Sequence, residues 1–350
     1  MTRSDKFFIA EHEVGADAPC FVVAEVAQAH DGSLGNAHAY IDAAADAGVS
    51  AVKFQTHIAA EESTPEEPWR VRFSRQDASR YEYWKRMEFS AAAWRELADH
   101  ARESGLVFLS SPFSVAAVEL LEDIGMPAWK VASGEITNHV MIKEIAATGI
   151  PVLLSSGLAT RAELDDAFEI ATSGGSPAAV FQTTTSYPCP AEQVGLNVLA
   201  ELRQRYGCPV GLSDHSATVY AGLAAVSLGA DLLEAHIVFS RRCFGPDTTS
   251  SLDPIEFEQL VRGVKFIERA LAHPVDKEAT ASELDELRTT FGRSLVARRD
   301  LSPGTTLQPD DLIPKKPGTG IPATRLAELV GRTLKRTVPA DALLQEEDLD

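Results

Sequence analysis

An α/β fold, a (β/α)8 TIM barrel followed by a small β-rich domain, is what these 350 residues predict. Three observations carry the prediction: a succession of eight short β-rich runs, Ala- and Leu-rich helical segments between most of them, and a change of composition near His273-Pro274. An open doubly wound sheet would also alternate strands and helices. No Gly-x-Gly-x-x-Gly loop follows a strand here, and eight units favour closure.

The strands are expected at Phe21 to Glu25, Ala51 to Gln55, Leu106 to Ser110, Ala128 to Val131, Val152 to Ser155, Ala179 to Gln182, Val210 to Ser213 and Leu232 to His236. Helical period runs through Ala37 to Ala47, Ala91 to Ser104, Ser114 to Ile124, Ala162 to Thr172 and Val219 to Leu228. The stretch from Ala59 to Met87 breaks this rhythm. Its Pro, Glu and Arg content predicts a long loop over the C-terminal mouth of the barrel, a lid where barrel active sites lie.

Beyond the charged stretch from Asp276 to Arg288 the tail echoes itself. The segment Arg298 to Leu312 reappears as Lys335 to Leu349, an offset of 37 positions (349 minus 312). Two related strand-turn-strand pieces predict a compact pseudo-symmetric module. The expected organisation is a catalytic domain over 1–275, a linker over 276–290 and a second domain over 291–350.

Composition limits the partners. A net charge of -19, from 32 basic and 51 acidic residues, opposes nonspecific binding to nucleic acid or anionic membranes. The four cysteines, Cys20, Cys189, Cys208 and Cys243, lack paired metal spacing, which fits a reducing cytoplasm. No stretch approaches the roughly 20 apolar residues of a membrane helix.

Catalytic groups of a barrel collect at the carboxyl ends of its strands. Glu25 ends the first expected strand, and Lys53 and Gln55 end the second. Lys130, Ser133 and Glu135 follow the fourth, Ser155, Ser156 and Gly157 close the fifth, and Tyr187 comes after the sixth. Lys53 and Lys130 sit in apolar stretches, and burying two unpaired ammonium groups is costly, so an anionic ligand, phosphate foremost, is expected. Hydroxyl and amide donors of Ser133-Gly134 and Ser155-Ser156-Gly157 would complete that site.

His215 and His236 close the last two runs and form a candidate metal pair with open coordination positions. Glu234, two residues before His236, shares its side of an extended strand and can act on a proton. Asp247, in Phe244-Gly-Pro-Asp247, adds a carboxylate, and His30 reads equally as loop structure or as part of the site. Two other classes stay open on these residues: another keto-acid-handling barrel lyase, and a noncatalytic sugar-binding protein.

The ordered set Ala24-Glu-Val-Ala-Gln-Ala-His-Asp-Gly32, Val52-Lys-Phe-Gln-Thr-His57, Trp129-Lys-Val-Ala-Ser-Gly-Glu135, Tyr187-Pro188, Gly211-Leu-Ser-Asp-His215, Glu234-Ala-His236 and Gly245-Pro-Asp247 resembles the sialic acid synthase family, which includes legionaminic and pseudaminic acid synthases. The tail resembles that family's antifreeze-like (SAF) domain. The resemblance implies condensation of phosphoenolpyruvate with an N-acetylated hexose to a nine-carbon 2-keto acid and phosphate. It further implies a cytoplasmic, domain-swapped homodimer.

By the same resemblance, His215 and His236 would hold manganese or magnesium (Mn2+ or Mg2+). Lys53, Lys130, Ser133, Ser155 and Ser213 would hold phosphoenolpyruvate, while Glu25, Gln55, Tyr187, Glu234 and Asp247 would face the sugar. Glu135 would join the substrate contacts. Three positions depart from the family pattern: Ala29 precedes His30 where Asn is usual, Thr185 stands at a frequent Asn, and Lys316 replaces an Arg that reaches the partner's sugar. A lysine lacks the planar fork of donors. Both N-acetylmannosamine and a diacetamido-trideoxy hexose are therefore expected acceptors.

Overall fold

The computed structural model describes residues 6–350; residues 1–5 of the expected catalytic domain lie outside the described residues. The chain divides into two compact units between Ala272 and His273. In the first, an antiparallel hairpin of Lys6–Ile9 and His12–Gly15 precedes eight parallel strands. These are β1 (Phe21–Ala27), β2 (Ala51–Thr56), β3 (Val107–Pro112), β4 (Trp129–Val131), β5 (Val152–Ser155), β6 (Ala178–Thr183), β7 (Val210–Asp214) and β8 (Leu232–His236).

The hydrogen-bonded order is β3-β2-β1-β8-β7-β6-β5-β4. β3 and β4, at the two ends of this ladder, lie side by side and close the sheet on itself. Continuous burial along every one of these strands except at Gln55 and Gln182 is what parallel strands covered on both faces require.

Each helix starts and stops for a local reason. Ser33, Ser90, Ser114 and Thr160 accept N-terminal amides as caps, and Asp253 with Glu256 forms a capping box ahead of helix Pro254–Leu271. Gly48, Gly125 and Gly207 end helices in the left-handed conformation. The helical faces bury Tyr40, Trp94, Leu121, Ile142 and Phe257 against the outside of the barrel. Inside the barrel, Phe21, Val23, Leu109, Leu153, Phe181 and Leu232 make an apolar floor together with Phe7, Ile9 and Val14 of the hairpin. The polar site sits above this floor.

Two features of the packing lend themselves to measurement. A Cβ on Gly211 of β7 would meet Phe181 Cε1 at 2.7 Å and the Leu232 carbonyl oxygen at 2.8 Å. Gly211→Ala should therefore cost about 1–3 kcal/mol in urea unfolding, the usual cost of overpacking; an unchanged midpoint would refute this.

His30 is the second. It is fully buried, its Nδ1 accepts the Gly32 amide at 3.1 Å, and its ring lies 4.8 Å from that of Phe89. Burial lowers its pKa to about 3, with His57 and Arg86 contributing. A depressed folded pKa means stability present above the unfolded value near 6.5 and lost as pH falls through 3. Between pH 7.5 and 5.5 the wild-type chain should lose about 1.4 kcal/mol more than His30→Asn. Equal losses would show that the ring protonates in place.

The stretch from Ala59 to Met87 is an irregular loop over residues 63–79 that lines the cavity, as expected, but its two ends are helical. It holds helices Ala59–Glu62 and Arg80–Met87, and Tyr83, Trp84 and Met87 pack with Trp69 and Phe73 into a small core of their own. Aromatic residues spaced through polar sequence made this core hard to see by periodicity.

The second unit, His273–Asp350, opens with helices Lys277–Glu283 and Asp285–Phe291 where a linker was expected. Strands Ser294–Ala297 and Leu312–Lys315 pair antiparallel around Leu295, Leu307, Leu334, Leu344 and Leu349. The sequence echo is structural: Arg299 pairs with Asp311, and Arg336 with Asp348, both offset by 37 (336 minus 299, 348 minus 311). Asp311 and Asp348 each close a capping box, with Gln308 and Gln345 respectively.

Candidate active site

Parallel register brings the polar residues together. Glu25 on β1 stands beside Lys53 on β2 and His236 on β8, and Glu234 stands beside Ser213 on β7. A register shift after Glu25, with Ala27 at φ 47°, bends the end of β1 and brings Gln28 to the mouth. Thirteen of the expected residues line one cavity of about 440 Å³: Glu25, Lys53, Gln55, Lys130, Ser133, Glu135, Ser155, Tyr187, Ser213, His215, Glu234, His236 and Asp247. That is the size of a small-molecule site. Ser156 and Gly157 instead line a separate cavity, which corrects their expected place in the anion site. Lys316 belongs to the second unit, where its Nζ lies 4.8 Å over the Phe291 ring.

The floor of the cavity is a buried charge cluster. Lys53 Nζ lies 2.8 Å from Glu25 Oε2, 3.6 Å from Glu234 Oε2 and 3.2 Å from Ser111 Oγ. Lys130 Nζ donates to Glu234 Oε1 at 3.0 Å and sits 4.8 Å over the Phe181 ring. The ammonium groups are thus paired. Contrary to the expectation from sequence, their burial alone does not demand an anion, because Glu25 and Glu234 supply the counter-charges.

Burial pushes the Glu25 carboxyl up, with Lys53 opposing. Burial also acts on Glu234, but Lys130 and Lys53 together hold it below the usual carboxylate range. Two carboxyls on adjacent strands are thereby set apart, one prone to carry a proton and one kept ionised.

Above this cluster lie the imidazoles. The His215 and His236 ring centroids are 4.9 Å apart, and the Tyr187 ring lies tilted against His215 with centroids 4.2 Å apart. Burial lowers both histidines to about 3, so both are neutral. His215 Nδ1 donates to the Thr184 carbonyl at 2.7 Å, which fixes the tautomer and leaves Nε2 with a free lone pair. Among the described residues no group of three or more His, Cys, Asp or Glu side chains is arranged to hold a metal. Two neutral imidazoles fit a divalent ion whose remaining positions go to substrate or water.

The rim is built by tight approach and by the 59–87 stretch. A Cβ on Gly157 would come within 3.0 Å of Ser133 Oγ, so glycine there lets the β4 and β5 ends converge. Arg70 donates to Asp247 Oδ1 at 2.8 Å and to the Pro246 carbonyl at 3.0 Å, and lies 4.4 Å over the Tyr187 ring. Arg70 had no periodic signal to reveal it. His57 had one: it continues the Lys53, Gln55 alternation on the same face of β2.

A closed parallel sheet with buried cations, carboxylates and imidazoles at its carboxyl ends defines a barrel enzyme. Residues 40–276 match the model of the NeuB family and residues 292–350 that of the SAF domain, and the chain belongs to the NeuB family. It is 32% identical to N,N'-diacetyllegionaminic acid synthase of Campylobacter jejuni, over 93% of this chain and 98% of that one. It is 33% identical to human N-acetylneuraminate-9-phosphate synthase, over 96% and 94%. A crystal structure of sialic acid synthetase from Leptospira borgpetersenii, 28% identical, superposes with a TM-score of 0.71 over 83% of this chain and 99% of that chain.

Proposed function

We propose that the chain condenses phosphoenolpyruvate with an N-acetylated hexose, giving a nine-carbon 2-keto sugar acid and inorganic phosphate. The relatives named as N,N'-diacetyllegionaminic acid, N-acetylneuraminate-9-phosphate and pseudaminic acid synthases support the reaction class. The observation that carries it is convergence: two lysines, four serines, two carboxyls of opposed proton affinity and two neutral imidazoles line one cavity.

Lys53, Lys130, Ser133, Ser155 and Ser213 would hold phosphoenolpyruvate, with Glu25 protonated so that the bound anion meets net positive charge. Glu25, Gln55, Glu135, Tyr187, Glu234 and Asp247 would face the acceptor. A divalent ion, Mn2+ or Mg2+, held by His215 and His236 would supply Lewis-acid polarisation. The enol carbon of phosphoenolpyruvate bonds to the aldehyde carbon, water adds at the adjoining carbon, and phosphate leaves with cleavage of its C-O bond. In this reading Glu25, the carboxyl pushed up by burial, would give a proton and the ionised Glu234 would take one.

N-acetylmannosamine and a diacetamido-trideoxy hexose are the acceptors proposed, in a cytoplasmic homodimer where Lys316 of one copy reaches the other's sugar. No helix among the described residues is long and apolar enough to cross a membrane. Incubation with manganese, phosphoenolpyruvate and a panel of acetamido hexoses should release phosphate and give a product mass of the condensed acid. No release with any acceptor refutes the reading.

A further inference from the structure

From the Lys53–Glu25 pair a hydrogen-bond chain runs along the wall of the cavity to Glu62. Gln55 Nε2 donates to Glu25 Oε1 at 2.7 Å. The Gln28 amide then gives one hydrogen to Gln55 Oε1 and the other to His57 Nε2, at 2.8 Å for the latter. With Nε2 accepting, His57 Nδ1 carries the proton and donates to Glu62 Oε1 at 2.7 Å.

The plane of the His57 ring is held from both faces. It is stacked between Trp84 at 4.0 Å and Phe113 at 4.4 Å. Among the described residues Glu62 Oε2 has no hydrogen-bond partner, and the Glu62 side chain is only 7% exposed and lines the cavity. A buried carboxylate oxygen without a donor is costly, so such an atom beside a ligand cavity points to a donor that arrives with the ligand.

Resting on the condensation reading above, we propose that Glu62 is a specificity-determining residue: its Oε2 accepts a hydrogen bond from one hydroxyl or acetamido N–H of the acceptor sugar. The chain from Glu25 to His57 fixes where that oxygen stands. An acceptor lacking the matching donor leaves Glu62 unpaired in the closed site and is discriminated against, whereas phosphoenolpyruvate, which brings no such donor in its bound anionic form, is not selected by it.

The test measures kcat/KM by phosphate release for N-acetylmannosamine and its singly deoxygenated and N-methylated analogues, with the wild-type chain, Glu62→Ala and Glu62→Gln. In the wild-type chain one analogue should lose about 10- to 100-fold. For that same analogue the loss should vanish in Glu62→Ala, and KM for phosphoenolpyruvate should stay within about twofold in both variants, the change falling on the acceptor. Glu62→Gln keeps the bond from His57 and turns the free atom into a donor, so it carries the test if the alanine variant unfolds. A uniform loss across all analogues, or an equal rise in KM for phosphoenolpyruvate, overturns the assignment of Glu62 alone. No release by the wild-type chain with any acceptor overturns the condensation reading as well.

Discussion

Lys53→Met should abolish turnover, by on the order of 10³-fold or more, and cost the barrel about 3–5 kcal/mol at neutral pH. Lys53 is the cation between Glu25 and Glu234, at 2.8 and 3.6 Å. A methionine of similar length fills the space, leaving Lys130 alone to balance two buried carboxyls. The protein can relieve the strain only by keeping Glu25 protonated, since burial already pushes that group up.

The sign of the pH dependence follows. A folded pKa raised above the unfolded value near 4.5 gives stability fully present below 4.5 and lost as pH rises. The variant should therefore be nearer to wild type in urea unfolding at pH 5 than at pH 8. Lys53→Met with Glu25→Gln should regain most of the stability and none of the activity, because the neutral amide no longer needs a cation while the ligand site still does. An equal cost at both pH values would show that Glu25 is not the group left unpaired.

This cluster also marks how far sequence reasoning reaches. Lys53 and Lys130 were legible as buried cations because each interrupts an apolar run, and the strand-end rule put Glu25 and Glu234 in the same cavity. Their pairing was not legible. Whether Glu25 faces Lys53 depends on the register between β1 and β2 and on the bulge after Glu25, neither of which hydrophobic alternation encodes. Helix Pro254–Leu271 has a readable start in Asp253-Pro254-Ile255-Glu256, a capping box with proline at its first position, which lies outside the strand-helix alternation that ends at His236. Arg70 and Glu62 are a different case, since both come from a stretch whose small aromatic core forms by tertiary packing between residues far from any regular spacing.

Replacing His215 or His236 by alanine should remove metal-supported turnover, by at least about 10³-fold, while the melting curve keeps its cooperative shape. Both rings are neutral in the folded chain, so their lone pairs are available without displacing a proton. Thr184 makes the arrangement directional: its carbonyl takes the Nδ1 proton of His215 at 2.7 Å, and its hydroxyl accepts the His215 amide at 3.0 Å. Ring and backbone of His215 are thereby held by one residue, and Nε2 is the nitrogen left to ligate.

With only two imidazoles from this chain, losing either leaves too few ligands to retain the ion, so the two substitutions act as a unit. The double variant should be no worse than either single one, a non-additivity that independent contributions would not produce. Calorimetric titration with manganese should give binding to the wild-type chain and none to any of the three variants. Turnover that survives chelation, or single variants whose losses multiply in the double, would separate these histidines from a shared ion and return them to the ordinary role of buried, hydrogen-bonded strand ends.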